Sequence, residues 1–401
     1  MQLKVDKYWI NNHIYYLIVF YYLIISYFPS VEVDKFSIKY FLYIIPVIFF
    51  IGFLSPQLAI RKYDKKSILS LILLLSVIIV SIIRLDISTI FSIFLFSATL
   101  IAIFNSKVSP SIEFINFLFI LTIFGSVIAY HFGLSEFGYV PSFADMKGFI
   151  SGSIGWRISL FPLVTESGFF ALLVIITNYF LNPNRSRYLF YVLGLYFLIF
   201  SGSRTSLVIF SFFIVFIVIS HFFIFRERTL YKLLNLLMIS VFILLLSFKS
   251  LLLLIKDTRI GFLNEYIFRT EEGLQEETKL QDVATRSWLW EQHLRIYAKS
   301  PIFGVGTYDF NSYKDKVTKS YQNSSGSESF ITSLLARVGL LALLVVGLLY
   351  TIQKQAMKNR NQFVYVLSLF IFMTMISYGS FMVAYNFMFL LLFGLVNNKA
   401  Y

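Results

Sequence analysis

Apolar residues arrive along this chain in long runs, not in stripes. Residues 67–83 (SILSLILLLSVIIVSII), 205–225 (TSLVIFSFFIVFIVISHFFIF) and 231–248 (YKLLNLLMISVFILLLSF) are each close to the roughly 20 residues a helix needs to cross a bilayer. Cutting the chain at charged or Pro/Gly-rich breaks predicts twelve such spans, near 10–28, 38–58, 67–83, 87–104, 113–131, 164–181, 188–200, 205–225, 231–248, 329–352, 363–377 and 380–397. The span 188–200 is short enough for a re-entrant or strongly tilted helix. The expected fold is therefore an all-α polytopic integral membrane protein of about 12 transmembrane helices, forming a single membrane domain over residues 1–401. Two polar interruptions are long: an outer loop at 132–163, and a large extracytoplasmic loop at 249–328 between the ninth and tenth helices. Loops of this length are usually functional. Within the larger loop, residues 283–300 (VATRSWLWEQHLRIYAKS) carry Trp288, Leu289, Leu294 and Ile296 roughly as one helical face, and Pro301 with 303–310 (FGVGTYDF) predicts a turn. Amphipathic helices lying across the outer mouth of the bundle are expected there.

Composition makes the membrane the solvent. Hydrophobic residues form 58% of the chain and charged ones 14%, whereas soluble domains carry about a quarter charged residues; the mean hydropathy is +0.77. The formal charge of +13 would suggest nucleic acid in a soluble protein, but here it sorts by topology. With the N-terminus cytoplasmic, the short outer loops hold six basic residues: Lys35, Lys39, Arg84, Lys147, Arg157 and Arg204. The inner loops, from Lys4 and Lys7 through the Arg61–Lys66 cluster to Lys399, hold sixteen. That asymmetry fixes the orientation, the long loop being exempt. Lys4 and Lys7 precede an apolar run at 14–28 with no small-residue cleavage site after it, which reads as a retained signal-anchor helix. Cysteine is absent, so no disulfide, thiolate nucleophile or cysteine-ligated metal is available.

Four arginines, Arg84, Arg157, Arg204 and Arg286, fall at or beyond the outer face, where the charge rule alone would not put them. Each could snorkel at a helix end; together they also match phosphate, since a guanidinium is planar, bidentate and always charged. In 200–210 (FSGSRTSLVIF), Gly202 and Ser203 separate two apolar runs and Arg204 opens the next helix, which runs from outside to inside. Its positive dipole end and Arg204 would meet at the outer interface as an anion site, or the turn is an ordinary serine cap. Arg157 lies in 155–173 (GWRISLFPLVTESGFFALL), ahead of another inward-running helix with Glu166 in its first turn. Glu166 is either a base or acceptor ligand, or a complement to the helix dipole. The third polar turn, 324–341 (SSGSESFITSLLARVGLL), puts Glu328 at the N-cap region of the next inward-running helix. A carboxylate there caps the helix or takes a proton from a sugar hydroxyl. His131 and His293, both outer, lack paired ligand spacing. Glu32 and Asp34 in the first outer loop could hold a divalent cation over a lipid phosphate, or be solvated loop.

These blocks resemble the O-antigen ligase/polymerase (Wzy-like) superfamily of integral membrane glycosyltransferases. The SGSRTS turn at 201–206, the 286–310 block (RSWLWEQHLRIYAKSPIFGVGTYDF) with its Arg, Trp, Pro and Gly-x-Gly pattern, and the 326–341 block (GSESFITSLLARVGLL) carry the resemblance. The 155–169 segment, with Arg157 and Gly168, is similar to the polymerase branch. Ligases of the superfamily usually have a His in the third block, thought to activate the acceptor; here Ser327, Glu328 and Ser329 stand there, which favours a polymerase.

The resemblance implies an undecaprenyl-pyrophosphate-linked oligosaccharide as substrate, with no nucleotide sugar, metal or other cofactor, in the bacterial inner (cytoplasmic) membrane. Membrane lipid is the other partner, a flippase and a chain-length regulator are the neighbouring proteins it suggests, and nucleic acid is not expected. In that reading Arg157, Arg204 and Arg286 bind the pyrophosphate and Glu328 is the catalytic residue. The rivals are a ligase that moves glycan to lipid A–core or protein, and a lipid-linked sugar flippase. A flippase would show repeated halves and buried midplane charges; no internal repeat is visible, and the charges sit at the outer face.

Overall fold

The computed structural model describes residues 7–26, 32–33, 36–37, scattered helical positions between 45 and 79, and then 87–131, 160–161, 164–201, 203–222, 293–306, 329–377 and 386–398. Its helices are α1 (Lys7–Ser26), α2 (Ile87–Ser106), α3 (Ile112–His131), α4 (Val164–Leu181), α5 (Arg187–Phe200), α6 (Arg204–Phe222), α7 (Phe330–Val338), α8 (Leu343–Lys358), α9 (Gln362–Ser377) and α10 (Phe387–Leu395). A shorter helical stretch covers 293–299. The all-α class holds with one small addition, an antiparallel ribbon of β1 (Glu32–Val33) and β2 (Phe36–Ser37) in which Glu32 faces Ser37. The spans expected at 38–58, 67–83 and 231–248 lie wholly or mostly outside the described residues.

Beside a largely apolar interior, two of the helices bury polar side chains while exposing apolar ones. On α3, Asn116, Thr122 and Ser126 are buried, while Phe117, Phe124, Val127 and Ile128 face outward, Phe124 with 62% of its surface exposed. On α6, Ser206 is buried and Val208, Ile214, Val215 and Val218 are exposed. A helix in water shows the reverse arrangement. Lipid tails reward no burial of leucine, so membrane helices join through small and hydrogen-bonding side chains. The buried hydroxyls of Thr122, Thr177 and Thr374 donate to the carbonyls of Phe119 (2.7 Å), Leu173 (2.8 Å) and Phe370 (3.0 Å), so these three donors are satisfied within their own helices.

The chain divides into two compact units, one of residues 1–123, 173–191 and 293–401, the other of 124–172 and 192–292. In the first, the two ends of the chain close on each other. The Tyr15 hydroxyl of α1 donates to Leu390 O of α10 at 2.8 Å, beside Gly394, which leaves room for the Tyr15 ring. Phe389 and Phe393 of α10 pack on Phe96 of α2. Asn397 Nδ2 donates to the carbonyls of Ile103 (2.8 Å) and Val108 (3.0 Å), at the end of α2. The amide thus ties the chain just after α10 to the end of α2.

Among the described residues one stretch, 330–358, is long and apolar enough to cross a membrane in itself. The sequence predicts a single span over 329–352; the structure breaks it. α7 ends where Gly339 takes φ +66°, a 3-10 turn follows over Gly339–Ala342, and α8 continues. The break lies against residues 301–305, a segment within the large loop. Leu340 N–H donates to Pro301 O at 2.9 Å, and Val305 N–H donates to Ala336 O at 2.9 Å. Backbone groups freed by the interruption are thus paired, as lipid requires. α5, by contrast, is short as expected: its 14 residues span about 21 Å, less than the roughly 30 Å hydrocarbon layer.

Candidate functional site

Two of the polar turns singled out in the sequence meet in space. In the second unit the first turns of α4 pack against the turn joining α5 to α6. The contact depends on Gly168: a Cβ there would lie 2.6 Å from Ser203 Cβ and 2.8 Å from both Ser201 Oγ and Ser206 Oγ. Hydroxyls fill the seam. Ser203 Oγ and Ser206 Oγ are 2.6 Å apart, Ser201 Oγ donates to Leu198 O at 2.9 Å, and Ser203 N–H reaches Ser201 Oγ at 3.3 Å. Ser206 N–H also points to Ser203 Oγ at 3.4 Å, so Ser203 caps α6. On the other side Leu160 N–H donates to Ser167 Oγ at 2.7 Å, holding the chain that enters α4. Glu166 is buried, with 7% of its surface exposed.

This arrangement brings the N-terminal ends of α4 and α6 together. Each helix start carries partial positive charge from its aligned peptides, and the small side chains of Gly168, Ser201, Ser203 and Ser206 let the two ends approach. Arg204 is the first residue of α6; its side chain lies outside the described atoms. The serine cap and the anion site, which compete as readings of this turn in the sequence, are compatible in the structure. Ser203 satisfies one N–H, and the helix still begins at an arginine.

The other two blocks of the resemblance meet in the first unit. The stretch 293–299 and the turn after it dock on α7. His293 is buried with 2% of its surface exposed, and its Nδ1 is 2.9 Å from Thr332 Oγ1. Ile296, Val305 and Ala336 form an apolar cluster beneath. The predicted turn after Pro301 is present, with Gly304 at φ +67° and Gly306 at φ +80°. Gly304 lies against the Arg337–Val338 backbone and Gly339 against Pro301 and Ile302, so a side chain at either would strike main chain. The face expected from the sequence is corrected here. Leu294 is exposed, and the docked side is His293 and Ile296, three residues apart on one helical face; Trp288 and Leu289 lie outside the described residues.

Of the residues proposed from sequence, Arg157, Arg286 and Glu328 lie outside the described residues, as do most of the loops 132–163 and 249–328. The cap of α7 is Ser329, whose Oγ accepts from Thr332 N–H at 3.3 Å. The capping role considered for Glu328 therefore falls to its neighbour. Sequence reasoning dismissed His293 as a metal ligand and gave it no other role; its partner Thr332 drew no attention, because a lone threonine one turn into an apolar helix looks like any other.

The described residues are all-helical apart from one short ribbon, expose many apolar side chains and include one apolar stretch long enough to cross a membrane, which is consistent with an all-α membrane protein. Residues 189–347 match the family model described as O-antigen ligase, less than half of the chain but including three of the four blocks that carry the resemblance. The match supports the resemblance of that stretch to the O-antigen ligase/polymerase superfamily. No curated protein and no solved structure matches the chain.

Proposed function

We propose that the protein is a polysaccharide polymerase of the bacterial inner membrane, transferring growing glycan from undecaprenyl pyrophosphate to the terminal hydroxyl of an incoming lipid-linked repeat unit. The observation that carries the reading is the close approach of α4 and α6 through Gly168, which gathers two helix starts and the Arg204 position on one seam. Such a seam suits a pyrophosphate: backbone dipoles and guanidinium groups favour multiple negative charge. Arg157 and Arg286 join it by the resemblance.

In the reaction the anomeric carbon loses its bond to the pyrophosphate oxygen, which leaves with the electron pair, and gains a bond to the acceptor oxygen. The acceptor proton passes to a base, for which Glu328 is the candidate. Arg157, Arg204 and Arg286 stabilise the charge that grows on the leaving group. The pyrophosphate supplies the driving force. About 12 spans with an outward-facing 249–328 loop would put all of these residues on the face where the lipid-linked units arrive.

A ligase is the second reading, favoured by the description of the matching family model. The third block opposes it, because residues 326–329 (GSES) contain no histidine. Deletion of the gene separates the two. A polymerase mutant leaves single repeat units on the surface acceptor, whereas a ligase mutant leaves the acceptor bare; an unchanged glycan profile rejects both.

A further inference from the structure

We propose that His293 is a positioning residue for the acceptor end of the reaction, acting through Thr332 on the first turn of α7. The inference rests on the polymerase or ligase reading above. Docking of 293–306 on α7 needs no histidine. Ile296, Val305 and Ala336 already supply an apolar contact, and the two backbone bonds, from Val305 to Ala336 and from Leu340 to Pro301, already fix the chain. A buried imidazole adds a desolvation penalty unless its polar atoms are used.

Here the imidazole is used at a particular point. Thr332 N–H donates to Ser329 Oγ (3.3 Å) and Thr332 Oγ1 meets His293 Nδ1 (2.9 Å), so one residue joins the helix cap to the histidine. Both backbone bonds lie further along, at positions 336 and 340. The His293–Thr332 bond holds the first turn itself. Ser329, the cap of that turn, is bonded in sequence to Glu328, the candidate base of the functional reading. Reaction rate is sensitive to such placement: a misplacement of about 1 Å can cost on the order of a hundredfold.

The test uses the full chain in lipid nanodiscs, with lipid-linked repeat units extracted from a strain lacking the gene. His293→Leu and Thr332→Val should each lower kcat on the order of tenfold or more, with KM for the lipid-linked unit unchanged and with normal accumulation and size-exclusion behaviour. Thr332→Ser and His293→Gln, which can still make the bond, should recover most of the rate. If His293→Leu fails to accumulate, the Thr332→Val and Thr332→Ser pair decides alone. Wild-type kcat in Thr332→Val overturns the proposal, and so does a Thr332→Ser variant as slow as Thr332→Val. Wild-type protein that transfers no glycan rejects the functional reading instead, before any variant is compared.

Discussion

The two ends of α4 are held by different chemistry. At its C-terminal end Asn178 and Asn116 of α3 exchange amide bonds, at 2.7 and 3.2 Å. Asn178 Oδ1 also accepts from Asn182 at 2.8 Å, and its Nδ2 reaches Val174 O at 2.9 Å. Every bond there runs from protein to protein, and long side chains span the gap. At its N-terminal end the gap is closed by removing side chain: Gly168 sits against three serines, with a buried Glu two residues before it and an arginine opening the facing helix. The first end is saturated, as a fixed joint in lipid must be. The second concentrates helix starts, and the proposed pyrophosphate site rests on it. One helix thus combines an anchor and a site, and the two ends should fail differently.

The largest effect is expected at Gly168. Gly168→Leu drives a side chain into Ser203 Cβ, an overpacking worth about 1–3 kcal/mol. The displaced helix start should abolish polymer, read as loss of the glycan ladder at a protein level that is lowered but measurable. A normal ladder would mean the N-terminal seam is loose and the contrast is unfounded.

Arg204→Lys and Arg157→Lys come next. Lysine keeps the charge and snorkels as well, but loses bidentate phosphate contact. The expected loss is on the order of 2–3 kcal/mol, or about 30- to 150-fold in rate, at unchanged stability. Full-length polymer from both variants would reduce these arginines to interface anchors.

The smallest effect on chemistry is expected at the anchor. Asn178→Leu leaves the Asn116 and Asn182 amides short of partners and should lower stability by about 1–2 kcal/mol, seen as a lower melting temperature in detergent. Activity of the surviving protein should be near normal. The double variant Asn116→Leu with Asn178→Leu should regain part of the loss, because it removes both members of the main pair. If Asn178→Leu instead loses activity with its Tm intact, the two ends are not specialised.

Much of this was legible in the chain. Apolar runs gave α1, α3, α4, α6 and α9 within a few residues, and the short run at 188–200 foretold the 14-residue α5. The polar turn at 201–206 was visible because Gly and Ser interrupt apolar sequence, and Arg204 does open a helix. What was not legible came from contacts distant in sequence. Nothing near Gly168 announces that Ser203 will sit beside it, thirty-five positions on. The break at Gly339 was missed for the same reason: the local sequence, ARVGLLALL, reads as uninterrupted helix, and the φ of +66° is set by Pro301 and Ile302. Leu294 was grouped with Ile296 on one helical face by hydrophobicity alone, whereas the structure buries Ile296 together with His293, which is hydrogen-bonded with Thr332.

The Gly304–Gly339 crossing also bears on how the chain is assembled. Machinery that sorts nascent segments by hydropathy meets 330–358 as one apolar helix of 29 residues and has no reason to treat it as two pieces. Its clasp, residues 301–305, is synthesised first and waits on the chain just ahead of it. The expected order is then insertion first and interruption second, with the segment divided when the preceding turn folds onto it. Each glycine is needed only at the second step. Substitution at Gly304 or Gly339 should therefore leave insertion efficiency intact and stop maturation afterwards, giving a chain inserted but not folded.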